Sequence, residues 1–382
     1  MKKLIYVLLM LFALSIVLVS CGGGGGGGTA PATTDSSSTT TSTTTTTTST
    51  SSTSTSTTTP TPTPVATLTA PTIQVPTGKA LLSGSKIGIT SSVAGATIYY
   101  TLDGTDPTSS SSVYNASKVT INSACTLKAI AIKDGASSSV ASATYSIAVR
   151  KNAPDAVNDI VFKNGTAVAY SADLYFTDEV KADAVAMIFY KGAECSNDSS
   201  TIRTLGVGLK CSPSYMKWCL NTANGYSTNI TTIQCTPSGS AGTYTFTGDK
   251  YGSDNLSQIA TFLAGNGSSD DTVTAENYPA FYWAKNYGTA NGCTGVYANE
   301  WYLPTIAELY QIYNIKTNID AAVALCGLTD AFSNTVFWSS SQYASCNNYA
   351  VESIFLVAAY DPSTYDSSKN GNRRVCAIRA FN

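Results

Sequence analysis

Between residues 141 and 147 the chain alternates: Ala141, Ala143, Tyr145 and Ile147 are separated by Ser142, Thr144 and Ser146. A period of two puts the first set on a core face and the second toward water, which predicts a half-buried strand. Two more strands are predicted upstream, at 98–102 and 126–133, with Asp103-Gly104 and Asp106-Pro107 punctuating the turn after the first. Short strands at this spacing predict a small all-β sandwich over 65–149.

After a short joint at 152–155 the pattern becomes mixed. Apolar runs at 160–162 and 166–168 flank Asn164-Gly165, a strong hairpin signal, and 184–190 and 204–209 read as further strands. Leu256, Ile259, Ala260 and Leu263 then follow helical spacing behind a cap at Ser253 or Asp254. Thr305-Ile306-Ala307-Glu308 is a capping box, and Ile306, Leu309, Ile312 and Tyr313 form its apolar stripe. A shorter face, Ile319, Ala322 and Val323, stops at Gly327, a C′ position. Residues 155–382 are therefore expected to be an α+β domain, making the chain multidomain.

The last stretch, 336–381, has apolar ends and a polar middle. Val336, Phe337 and Trp338 open it, and Val375, Ala377, Ile378 and Phe381 close it. The interval between is dominated by Ser, Asn, Asp, Tyr and Ala, a composition suited to adaptable contact with a partner. The run 354–359 is an apolar exception, readable as a buried strand or an exposed sticky patch.

Charge and rare residues narrow the chemistry. Charged residues make up 12% of the chain and the net charge is -2, so no basic field exists to hold nucleic acid. Histidine is absent, which removes Ser-His-Asp and Cys-His catalysis, His-ligated zinc and histidine switches. Eight of the ten cysteines fall after residue 190 with no close Cys-x-x-Cys pair, so disulfides are expected in preference to metal ligation. Those around 195–235 would staple a segment poor in apolar residues. Neither a cofactor nor a metal site is expected. Asp103 and Asp106 could mark a calcium or sugar site but suit turn geometry better, and Glu308 could be a general acid but is placed as a cap.

Lys2 and Lys3, an apolar stretch at 4–19, and Leu18-Val19-Ser20-Cys21 resemble a bacterial lipobox. The resemblance implies a signal peptide at 1–20 and lipidation of Cys21, anchoring the chain to the bacterial outer membrane, with an uncleaved membrane anchor as the alternative. The glycine run at 22–28 and the Ser/Thr/Pro sequence to residue 64 cannot bury a core, so 21–64 is expected to be a disordered tether. Its root-mean-square reach would be about 35–40 Å.

The words IYYTLDGTDPT, VYNASKVTI and LKAIAIKDGASSSVASATYSI resemble the Ig-like C-terminal domain of chitobiase and β-hexosaminidase, which implies the sandwich fold for 65–149. Further on, YPAFYWAKNYG, NEWYLPTIAELYQIY, VFWSSSQY and RRVCAIRAF resemble a bacterial domain family with a C-type-lectin-like fold of the formylglycine-generating-enzyme type. Within it the chain looks most similar to treponemal variable lipoproteins, the variable proteins of diversity-generating retroelements. That resemblance implies a non-enzymatic, surface-anchored binding protein with a variable region at 338–381 that recognises a protein or glycan. The expected contact set is Tyr343, Asn347, Asn348, Tyr349, Tyr360, Asp361, Tyr365, Asp366, Asn370, Asn372 and Arg373. A non-diversified surface paralogue is the main alternative. A formylglycine-generating enzyme would need Cys376 or Cys346 as a reactive thiol, and a calcium-dependent lectin lacks its Glu-Pro-Asn and Trp-Asn-Asp signatures here.

Overall fold

A computed structural model describes residues 68–198, 200–239, 243–267, 273–354 and 364–382. The expected signal peptide, Cys21 and the expected tether lie outside the described residues, as do Tyr360, Asp361 and most of the apolar run at 354–359. The side chains of Tyr365 and Asp366 are likewise outside the description. The described chain is mostly β-sheet with few helices.

The alternating stretch is the strand Ala141–Ala148, set between Cys125–Lys133, antiparallel to it, and Lys79–Leu82, parallel to it. Thr97–Thr101 and Ser112–Val113 continue that sheet. Two short ladders, Thr72–Ile73 with Ile89–Thr90 and Ser85–Ile87 with Val119–Ile121, make the other layer. Leu81, Leu127, Ala143 and Tyr145 from the first layer pack with Ile87, Ile89, Val119 and Ile121 from the second. The result is an Ig-like sandwich. Tyr145 is buried whole because its hydroxyl reaches the Val75 carbonyl at 2.6 Å.

Main-chain bonds join the sandwich to the C-terminal part of the chain. The free edge of Lys79–Leu82 pairs with the segment around residues 173–175, Ala80 N–H to Asp173 O at 2.9 Å and Tyr175 N–H to Ala80 O at 3.0 Å. Arg150–Lys151 already pairs with Ala167–Ala169, so the second sheet begins before residue 152 and takes in the expected joint.

That second sheet has six strands in the order Arg150–Lys151, Ala167–Ala169, Asp159–Phe162, Ala184–Gly192, Arg203–Gly208 and Ile378–Ala380. Its central strands are buried on both faces and send alternate side chains to two cores. Ile160, Phe162, Met187, Phe189, Leu205 and Val207 pack against Leu309, Ile312, Ile319 and Val323. Val161, Ala186 and Ile188 meet an aromatic cluster that includes Trp218, Tyr278, Phe281, Trp301 and Trp338. The predicted hairpin is present, with Gly165 at φ 82° where a side chain would be strained.

Three helices fall where the pattern puts them: Asn255–Gly265, Ile306–Asn314 behind a complete Thr305/Glu308 capping box, and Lys316–Leu325, with Gly327 at φ 70° beyond its end. Three others, Asp178–Lys181, Pro279–Lys285 and Tyr287–Ala290, were not predicted.

The expected disulfides require correction. Cys195, Cys211, Cys235, Cys293, Cys326 and Cys376 are buried free thiols, and Cys125 and Cys346 are half-buried free thiols. A buried thiol behaves as a small apolar side chain, and Cys195, Cys211, Cys235, Cys326 and Cys376 all sit within one core cluster. The irregular segment after Cys195 is held by main-chain bonds instead: Ser212 N–H to Val375 O at 2.8 Å, Met216 N–H to Arg373 O at 2.7 Å, and Leu220 N–H to Asn277 O at 2.9 Å.

Candidate ligand-binding face

The strand Val336–Gln342 is buried from Phe337 onward, although four of those residues are polar. Each serine hydroxyl has a partner. Ser339 Oγ donates to Val351 O at 2.7 Å, Ser340 Oγ meets the Asn255 amide at 2.8 Å, and Ser341 Oγ accepts from the Ile306 N–H at 3.1 Å. Ser341 thereby satisfies an otherwise open donor at the start of a helix. Trp218 Nε1 donates to Ser339 O at 3.0 Å. The serine triplet is thus a buried hub tying a helix, an aromatic core and the neighbouring strand Tyr349–Ile354 together.

The two ends of the 338–381 stretch bond to each other. Trp338 N–H donates to Arg374 O at 3.1 Å, and Arg374 N–H to Val336 O at 3.1 Å. Trp338 is fully buried, with its indole N–H on Met216 O at 2.8 Å, and Val375, Ala377 and Ile378 are fully buried as well. Arg374 is further held by Asp330 at 2.7 Å.

Between these ends, Val336–Gln342, Tyr349–Ile354 and Thr364–Ser368 form a three-stranded antiparallel sheet. Turns at 343–349 and 369–373 meet at one edge of it. Tyr343 N–H bonds to Tyr349 O at 3.2 Å, Tyr349 pairs with Ser368, and Lys369 N–H bonds to Asn348 O at 2.9 Å. Asn370 Oδ1 accepts from Ser368 Oγ at 2.7 Å, and Arg373 Nη2 donates to Ser367 Oγ at 2.9 Å. The structure therefore brings together Tyr343, Asn347, Asn348, Tyr349, Asn370, Asn372 and Arg373. Asn347 and Asn372 are exposed and the other five half-buried, with Tyr343 resting on the core. Tyr365 and Asp366 lie on the strand Thr364–Ser368 of the same sheet.

Two residues of this region were missed from the sequence. Gln342, 1% exposed, directs its amide nitrogen at carbonyls of the 343–349 turn. Lys369, 0% exposed, places Nζ 2.7 Å from Gly225 O, 3.1 Å from Thr228 O and 2.8 Å from Asn347 O, with the Trp218 ring 4.9 Å away. Burial pulls its amine down to about 7. The only sequence signal was a solitary lysine in a stretch otherwise lacking that residue.

The other acid–base candidates are occupied structurally. Glu308 is 0% exposed: Oε1 takes bonds from Arg203 and Tyr302, both at 2.8 Å, and Oε2 from the Thr305 N–H at 2.9 Å. Burial pushes its carboxyl up against the pull of Arg203. Asp103 accepts from the Thr105 N–H and hydroxyl at 3.0 and 2.6 Å, and Asp106 pairs with Lys128 at 2.7 Å. Asp103 thus shapes the turn. Burial raises the Cys376 thiol well above its ordinary range. Among the described residues no cluster of three His, Cys, Asp or Glu side chains is placed to hold a metal.

A cavity of about 590 Å³ lined by Tyr251, Leu256, Phe281, Lys285, Glu300 and Trp301 lies elsewhere and includes none of the expected contact residues. The candidate face is thus built of turns and a strand edge, a shape suited to another surface.

Comparison with known proteins bears on the sandwich. Residues 76–145 match the chitobiase/beta-hexosaminidase C-terminal domain. The match spans the strands from Lys79–Leu82 to the middle of Ala141–Ala148, and it contains the Asp103-Gly104 turn. No curated protein matches the chain. The chitobiase-type domain packs its own apolar core and presents Asp103 and Asp106 at its surface.

Proposed function

We propose that this chain is a surface-anchored binding protein. A C-type-lectin-like C-terminal domain recognises a protein or glycan through the face formed by the 343–349 and 369–373 turns. The chitobiase-type domain serves as a spacer and the lipid on Cys21 as the anchor to the bacterial outer membrane. The observation that carries this reading is the mutual bonding of Trp338 and Arg374, which closes both ends of a stretch in which Asn347 and Asn372 are exposed and Tyr343, Asn348, Tyr349 and Asn370 half-buried. Firm ends let the exposed residues between them change with little cost to folding, as in antibody loops. The burial of Cys376, with its thiol pushed up, favours binding over thiolate chemistry. Diversification by a retroelement is the finer part of the proposal.

The test is a screen of the soluble chain against glycan arrays and purified extracellular proteins. A hit should lose at least about tenfold in affinity when Asn347, Tyr349 and Asn372 are changed together to Ala, about 1.4 kcal/mol or more. Binding that survives the triple change would move the site elsewhere. For diversification, the flanking DNA should hold a near-copy of the 3′ coding region, differing at adenines, beside a reverse-transcriptase gene.

A further inference from the structure

The 343–349 turn is held from outside itself. Gln342 Nε2 lies 3.2 Å from Tyr343 O, 3.0 Å from Cys346 O, 3.3 Å from Asn347 O and 2.9 Å from Tyr349 O. Two N–H hydrogens facing four acceptors make a set of shared bonds, and they gather the turn around one point. The opposite orientation of this amide would set its oxygen against those same carbonyls. Gln342 Oε1 is instead buried without a partner, an unmade bond that a native fold keeps only for a reason. Directing the nitrogen at the turn supplies that reason.

Lys369 acts on the same main chain. Its Nζ reaches Asn347 O at 2.8 Å, the carbonyl that Gln342 also holds, and ties it to Gly225 O and Thr228 O of a separate segment. Three acceptors match the three hydrogens of the ammonium form, the neutral amine still offers two, and all three acceptors belong to the main chain. Within the turn itself, the Cys346 thiol makes a weak bond to Asn348 Oδ1 at 3.1 Å.

We propose that Gln342 and Lys369 are positioning residues that fix the main chain of the 343–349 turn, so that its shape persists whatever side chains stand at Ala344, Ser345, Asn347 and Asn348. This deepens the binding reading and rests on it only for the use made of the turn. Lys369 then belongs to the frame although it lies inside the stretch proposed to vary. Carbonyl acceptors are the same for every residue type, so a turn held through them keeps its path when its sequence changes.

The test is amide hydrogen exchange on the whole chain, read at Tyr343, Tyr349 and Lys369, whose N–H groups bond within or to this turn. Gln342→Ala and Lys369→Met should each speed exchange there at least tenfold and leave residues 76–145 unchanged. In a Lys369→Ala chain, propylammonium, which replaces the missing carbons and nitrogen, should restore protection at least fivefold, and n-propanol should not. Ala344→Ser, Ser345→Ala, Asn347→Ala and Asn348→Ala should stay within twofold of the parent. Unchanged exchange in both Gln342→Ala and Lys369→Met would overturn the proposal. So would a tenfold rise in Asn347→Ala or Asn348→Ala, which decides the matter even where Lys369→Met fails to fold. No ligand is needed, so a failed binding screen and a failed exchange result are separate outcomes.

Discussion

The two folded parts of this chain bury different things. The sandwich closes over Leu81, Ile87, Ile121, Leu127 and Tyr145, and its Asp103 and Asp106 remain at turns on the surface. The C-terminal part buries Arg203, Glu308, Lys369, Asp159 and Arg379 along with its apolar clusters. Apolar burial is non-directional and forgives small displacements, whereas a buried polar group needs each partner in place. The sandwich is therefore defined by its pattern, and the C-terminal part by contacts between segments far apart in sequence.

The sharpest way to break this contrast is Glu308→Ala. It removes the capping box and leaves the Arg203 guanidinium buried without its carboxylate, which should lower stability by about 3–5 kcal/mol. All four tryptophans lie after residue 150, so urea unfolding followed by their fluorescence reports this part alone. A loss below about 1 kcal/mol would show the ion pair to be dispensable.

Lys369 sharpens the contrast through pH. Burial comes first among the causes that bring its amine to about 7, and the thiols of Cys219 and Cys346 face it. Between that value and about 10.4, the ordinary lysine value, the unfolded chain keeps a proton that the native chain has lost. Raising the pH through this window therefore favours the native state, by up to about 1.4 kcal/mol per pH unit from this group. Below pH 7 the cost of the buried charge is fully present. Subtracting the profile of Lys369→Met should reveal this slope, and identical profiles would show that the amine is not desolvated as described.

At the other end stands Asp103→Ala in the sandwich. Its carboxylate shapes an exposed turn, so calorimetry should show a Tm shift of no more than about 2 °C. A much larger shift would mean that this module also depends on polar contacts.

Legibility followed the same divide. The 141–148 strand was readable because period two is itself the geometry of a strand, and the helix Ile306–Asn314 because its cap is local. Pro279–Lys285 was not, since Pro, Ala, Phe, Tyr and Trp on every side leave no polar stripe to set a period. The cysteines misled because thiols buried as small apolar groups have the same irregular spacing as bridged ones. In the candidate face, Tyr, Asn and Arg at turns could be named from composition, while Gln342 and Lys369 could not. Their acceptors are main-chain carbonyls, which no residue letter encodes.

Residue order alone thus determined the strands of the sandwich, its turns, the capped helices and the apolar ends of the last stretch, because each is set by a local period or by contacts a few residues apart. Tertiary structure decided that those ends bond to each other, that three serines are interior, and that a buried glutamine and lysine hold the turn between them. These depend on segments that meet only after the sheets have closed, and a hydrogen bond formed across such a distance leaves no periodic trace in the chain.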